Sequence, residues 1–162
     1  MKQFYQIVCR YEKKVVPLQT VSKTYYMISY LLLYLFLALG VSFVCSLLES
    51  TLMSTTLSYI NLREEEGYKP AFLMKQYKTE TERPLAAILS LNTIANTVGA
   101  SGVGMQATLI FGEAWFGVCS AIMTILILVF SEIFPKTLGT TYWKQLMGLA
   151  AHAIRVLIVI MY

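Results

Sequence analysis

The sequence predicts an all-α membrane protein, with three transmembrane helices and a C-terminal juxtamembrane helix at the interface. Three observations carry this expectation. Apolar residues dominate long runs at about 24–48, 85–111 and 114–134. Hydrophobic residues make up 57% of the 162-residue chain and charged residues only 14%. An average soluble domain has roughly 25% charged residues, so lipid rather than water is the matching solvent. Aromatics also gather at the ends of the runs (Tyr25, Tyr26, Trp115, Tyr142, Trp143), where rings with an apolar body and a polar edge suit the headgroup layer.

Residues 1–23 are mixed and basic and read as an N-terminal extramembrane segment, either an interfacial helix or a poorly ordered tail. They do not form a signal peptide, because the apolar run that follows is too long for one. That run starts near Thr24 and, at 1.5 Å per residue, exceeds a bilayer core of about 30 Å. The first helix is therefore expected to tilt, or to continue beyond the membrane through Thr51 to Leu62. Residues 61–83 are densely charged, and Gly67 and Pro70 divide them into two short pieces, a solvated helical hairpin between spans. Thr81 and Pro84 mark a helix start. The second span, 85–111, is weakly hydrophobic, and its middle is rich in Asn, Thr, Gly, Ala and Ser. Small residues let helix backbones approach closely, which places this span at the centre. After a turn at 112–115 the third span runs to Phe134, where Pro135 should disrupt its end. Residues 24–144 thus form one three-span domain. Residues 145–162 are apolar but interrupted by His152 and Arg155, a juxtamembrane helix in preference to a fourth span. The chain then stops without a polar tail, and it is expected to be part of a longer protein.

Charge sets an expected orientation. Arg63, Lys69, Lys75, Lys78, Arg83, Lys136, Lys144 and Arg155 fall on the hairpin side, against Lys2, Arg10, Lys13, Lys14 and Lys23 on the other. The positive-inside rule then puts the N-terminus outside and the C-terminus in the cytoplasm of a cell bounded by this plasma membrane. The small net charge of +4 and basic residues confined to run ends suit membrane flanks and argue against nucleic acid. Cys9, Cys45 and Cys119 are scattered, with no metal or disulfide spacing. His152 is the only histidine, and no hydrolase or nucleotide-binding motif is present, so an enzyme is not expected. The glycine-rich stretch 99–105 lacks the strand–turn–helix setting of a phosphate loop and reads as helix packing.

The residues that lipid disfavours stand out against this background. A carboxylate in hydrocarbon costs at least about 2.5 kcal/mol, so such residues normally face protein or a water-filled cavity. Ser42, Ser46, Glu49 and Met53 follow i, i+4, i+7, i+11 spacing and share one helix face. Hydroxyls and a carboxylate there suit a hard cation; alternatively the serines bond back to their own helix and Glu49 reaches the membrane edge. Asn92 and Asn96 lie one turn apart. Their carbonyls are neutral hard-cation ligands, or they hydrogen-bond between helices, and both roles are compatible. Glu132 sits in an otherwise apolar span three residues before Pro135, where freed backbone carbonyls help hold a cation. The alternative is a Glu132–Lys136 ion pair at the helix end.

The patterns Ser46-x-x-Glu49, Asn92-Thr93-Ile94-Ala95-Asn96 and Glu132-Ile133-Phe134-Pro135-Lys136 resemble the transmembrane domain of the CorC/cyclin M (CNNM) magnesium transporters, over about Ala38 to Arg155. The resemblance implies three transmembrane helices with a juxtamembrane helix, a homodimer in the bilayer, and CBS-pair cytosolic domains in the full-length protein. It implies binding of a largely dehydrated Mg²⁺ by Ser46, Asn92, Asn96 and Glu132, with Ser42 and Glu49 as further members. It also implies Mg²⁺ export, coupled to Na⁺ in some members. One departure is that the family often has a small residue after the first-span serine, where this chain has Leu47 and Leu48. The alternative function is a non-transporting membrane Mg²⁺ sensor or adaptor.

Overall fold

The computed structural model describes the backbone of residues 2–161 and the side chains of residues 25–161. All described secondary structure is helical. Helix α1 spans Lys2–Ser54, α2 Leu57–Glu65, α3 Lys69–Thr79 and α4 Glu82–Phe111. A single turn at Glu113–Trp115 leads into α5 (Phe116–Leu126), a π-helical segment (Ile127–Ile133), α6 (Phe134–Thr141) and α7 (Trp143–Met161). The side chains of the expected extramembrane segment 1–23 lie outside the described residues.

By length and composition, three helical stretches can cross a membrane: Tyr25–Ser54, Glu113–Thr141 and Trp143–Met161. The expected second span, α4, is absent from those three, although its 30 residues would reach about 45 Å. Its asparagines, threonines and glycines lower its apolarity. What places it is α1, against which it packs along much of its length. The two helices are antiparallel, since Asn92 meets Ser42, Gly99 meets Ala38 and Gly102 meets Tyr34. No room exists for a Cβ at Gly99, which would collide with the Ala38 methyl. This is the close backbone approach that small residues permit.

Helix α7 is apolar enough to cross, but its surroundings place it differently. Its buried residues Met147, Ala150, Ile154 and Leu157 join Ile60, Ala71, Met74 and Tyr77 of the α2–α3 hairpin in one core. Cys45, Leu48 and Leu52 of α1 and Ala87 and Ile88 of α4 complete that core. The hairpin carries the charged interval of the chain, including the Lys75–Glu64 and Arg63–Glu66 pairs. The buried face of α7 is thus shared with a charged hairpin. The aromatic contact of Tyr59 with Trp143, 5.0 Å between centroids, fixes its start.

Two expectations about helix ends are corrected. First, α1 does not continue to Leu62. It stops at Ser54, and Thr56 turns extended (φ −93°, ψ 144°) before α2 begins. Thr51 and Thr55 donate back to the carbonyls of Leu47 and Thr51, at 2.7 and 2.6 Å, a pattern that weakens and bends helices. Lys78 Nζ then caps the end, donating to the carbonyls of Leu52 and Met53 at 3.1 and 2.8 Å, where the helix dipole favours a cation. Burial of that ammonium lowers its pKa. Second, Pro135 does not end the third span, which stays helical to Thr141. A proline cannot donate to the carbonyl four residues back and crowds it. The preceding turns widen instead, with the Phe134 N–H bonding to the Val129 carbonyl five residues back.

The α1–α4 seam should be sensitive to single methyl groups. Gly99→Ala is expected to destabilise the protein by about 1–3 kcal/mol through overpacking. Gly40→Ala, on α1 with nothing near its added Cβ, should be neutral or gain up to about 1 kcal/mol. Thermal unfolding of the purified protein in one detergent checks the contrast; equal effects would count against the close seam.

Candidate functional site

The antiparallel seam brings the first and second groups of sequence-predicted residues together. Ser42 and Ser46 are fully buried on α1. The Ser42 hydroxyl donates to Asn92 Oδ1 across the seam at 2.5 Å. Ser42 therefore reaches a neighbouring helix and does not bond back to its own. Ser46 Oγ and Asn96 Oδ1 are buried without any hydrogen-bond partner. Ser46 lies one turn from Ser42 along α1, and Asn96 one turn from Asn92 along α4. Because the helices are antiparallel, the two unpartnered oxygens flank the Ser42–Asn92 bond on opposite sides. The polar groups are strung along the seam, over about two turns or roughly 11 Å.

The third span reaches the same helix from another side. Ser131, fully buried, donates to the carbonyl of Leu39 at 3.1 Å. Phe134 packs on Phe43 with centroids 6.3 Å apart, and Gly139 lies so close to Ser50 that a Cβ would collide with it. These contacts run parallel to α1. Glu132 follows Ser131 inside the π segment and is half-buried. Among the described residues it forms no ion pair, and the expected Glu132–Lys136 alternative is not formed. Lys136 Nζ instead approaches Glu49 Oε2 at 3.5 Å. Glu49 thus holds a lysine near the bundle's edge, while Met53, expected on the same face, is exposed.

Two residues not singled out from sequence belong to this picture. Ser131 is the small polar residue next to Glu132, and adjacency was the available signal. Gln106 Oε1 is the third buried oxygen without a partner. It lies on the Asn92/Asn96 face of α4 at i+14 from Asn92, a helical repeat the sequence contains but which its distance obscures. His152 is exposed, with Nδ1 2.9 Å from the Gly148 carbonyl, and takes no part.

Chemically the arrangement offers hydroxyl and amide oxygens plus isolated carboxylates. Among the described residues there is no cluster of three or more His, Cys, Asp or Glu. Such a donor set suits hard cations and not the softer metals that prefer imidazole or thiolate. Buried oxygens without partners are uncommon, and each calls for an explanation such as water or an ion.

Comparison with known proteins places this architecture among relatives. The family model described as the cyclin M transmembrane N-terminal domain matches residues 16–162. A UPF0053 protein of Synechocystis is 41% identical over 90 residues, covering 56% of this chain and 26% of that protein. A UPF0053 protein of Haemophilus influenzae is 26% identical over 98 residues, covering 60% and 23% respectively. A chloroplastic DUF21 domain-containing protein of Arabidopsis thaliana is 30% identical over 101 residues, covering 62% and 15%. The chain thus spans about a quarter or less of these relatives.

Removing the Ser42 donor leaves the part-buried Asn92 Oδ1 unpaired, so Ser42→Ala is expected to cost about 1–2 kcal/mol. Asn92→Ala should lose a similar amount, and the double variant less than the sum of the two. Strictly additive losses in an unfolding cycle would show that this bond contributes nothing.

Proposed function

The chain belongs to the cyclin M transmembrane-domain family, and on that premise we propose that it carries a divalent cation, Mg²⁺, across the membrane along the α1–α4 seam. The observation that carries this reading is the pair of buried, unpartnered oxygens, Ser46 Oγ and Asn96 Oδ1, flanking the Ser42–Asn92 bond. In hydrocarbon such atoms cost free energy until something with positive charge or a donor proton meets them. A cation shedding part of its hydration does so. Neutral hydroxyl and amide oxygens replace water ligands without binding too tightly, as conduction requires.

Glu132 supplies the negative charge. Its place in a π segment favours this role, because π turns recur at functional sites. Ser42, Ser46, Asn92, Asn96 and Glu132 form the ligand column. Glu49, paired with Lys136, guards its hairpin end and releases the lysine when a cation arrives. Rocking of α1 against α4 and the third span exposes the column to one side and then the other. The direction is export, with Na⁺ moving the opposite way as coupling ion. The working unit is a homodimer in the plasma membrane, with the N-terminus outside and the C-terminus in the cytoplasm, where CBS-pair domains of the full-length protein regulate it.

Proteoliposomes loaded with a Mg²⁺-sensitive dye test this. Glu132→Gln and Asn96→Ala are each expected to reduce Mg²⁺ flux by about tenfold or more, the loss of about 1.4 kcal/mol of ion binding or barrier stabilisation. Wild-type flux from both variants would remove the column as the path. Mg²⁺-dependent stabilisation without any flux from the wild-type protein would favour the sensor reading.

A further inference from the structure

A cavity with mixed polar and apolar lining lies where the hairpin, the start of α4 and α7 meet, away from the α1–α4 seam. It is open on one side and holds about 320 Å³. Gln76, Tyr77 and Glu80 line it from α3 and its end, Arg83 from α4, and Arg155 and Ile158 from α7. Neither arginine forms an ion pair among the described residues. Tyr77 and Arg155 line the same cavity; burial raises the Tyr77 phenol and the Arg155 charge opposes that rise. Two guanidiniums from different helices facing one cavity repel each other, and Glu80 offsets only one of the two charges. An oxyanion between them would turn that repulsion into charge-assisted hydrogen bonds.

The surroundings say which oxyanion. At the cavity's rim and beyond it, α7 presents Val159, which lines the cavity, and Val156 and Ile160, at 74%, 59% and 71% exposed. On its other side α4 begins its run into the bundle at Pro84. A cavity of mixed lining at the charged hairpin, opening beside an unpartnered aliphatic strip, matches a headgroup with acyl chains attached. We propose that Arg83 and Arg155 bind the phosphate of an anionic phospholipid, whose chains lie along Val156, Val159 and Ile160 of α7. The bound lipid would tie the hairpin and α7 to α4. This site is independent of the cation path.

Short-chain phosphatidylglycerol titrated onto the detergent-purified protein, followed by thermal shift and native mass spectrometry, tests the proposal. Phosphatidylglycerol should raise the melting temperature, with phosphatidylcholine of equal chain length and inorganic phosphate giving little or no shift. The Arg83→Gln/Arg155→Gln variant should bind phosphatidylglycerol about tenfold or more weakly, for loss of two charge-assisted contacts. Glu80→Gln should bind it more tightly, and this variant decides the matter if the double variant does not fold. Unchanged phosphatidylglycerol binding in the double variant, or no tightening in Glu80→Gln, would overturn the proposal. An equal shift from inorganic phosphate would assign the cavity to a soluble anion, and an equal shift from phosphatidylcholine would deny it selectivity; either result overturns the lipid assignment.

Discussion

Inside a bilayer no water competes for hydroxyls and amides, so each polar group that α1 and α4 carry into the bundle depends on protein for its partner. The two backbones therefore have to come close, and Gly99 against Ala38 is where they do. At that separation Ser42 reaches Asn92. The same approach buries Ser46 Oγ and Asn96 Oδ1 on either side with nothing to bond. Stability and the candidate cation path thus rest on one constraint. A bulkier seam would separate the helices, and the polar column would be lost with the contact.

The third span attaches to the opposite flank of α1, and its geometry depends on Pro135. The missing donor and the crowded carbonyl are absorbed by a π turn over Ile127–Ile133, so the helix widens and continues. Ser131 uses its hydroxyl to bond the Leu39 carbonyl, which pins the widened segment to α1 at the level where α4 also packs. Glu132 is half-buried on that segment and, among the described residues, forms no ion pair. Lys136, freed from an i,i+4 pairing with it, turns to Glu49.

The hairpin and α7 share one apolar core with α1 and α4, built around Met74, Met147 and Ile154. It grips the end of α1 through Leu48 and Leu52 and the start of α4 through Ala87 and Ile88. Lys78 reinforces the grip by capping the last carbonyls of α1. Packed side chains and one charge-assisted cap thus tie the hairpin and α7 to α1 and α4.

Much of this was legible from residues alone. Low charge, long apolar runs and interfacial aromatics predicted an all-α membrane protein, because lipid as solvent leaves few alternatives. Helical periodicity grouped Ser42 with Ser46 and Asn92 with Asn96, and the charged interval with Gly67 and Pro70 marked the hairpin. Local rules failed where long-range packing decides. Sequence left α1 either to tilt or to continue past Thr55, and had Pro135 disrupt the end of the third span; in the structure Lys78, distant in the chain, caps α1 at Ser54, and a π turn carries the helix past the proline. Apolarity alone ranks α7 above α4 as a membrane span, yet the core that α7 shares with the charged hairpin sets its place. Nor does spacing reveal that Ser42 bonds Asn92 while Ser46 and Asn96 stay unpaired, or that Lys136 prefers Glu49. Those choices belong to the tertiary structure, because periodicity fixes which face a residue occupies and only packing between helices fixes which face it meets.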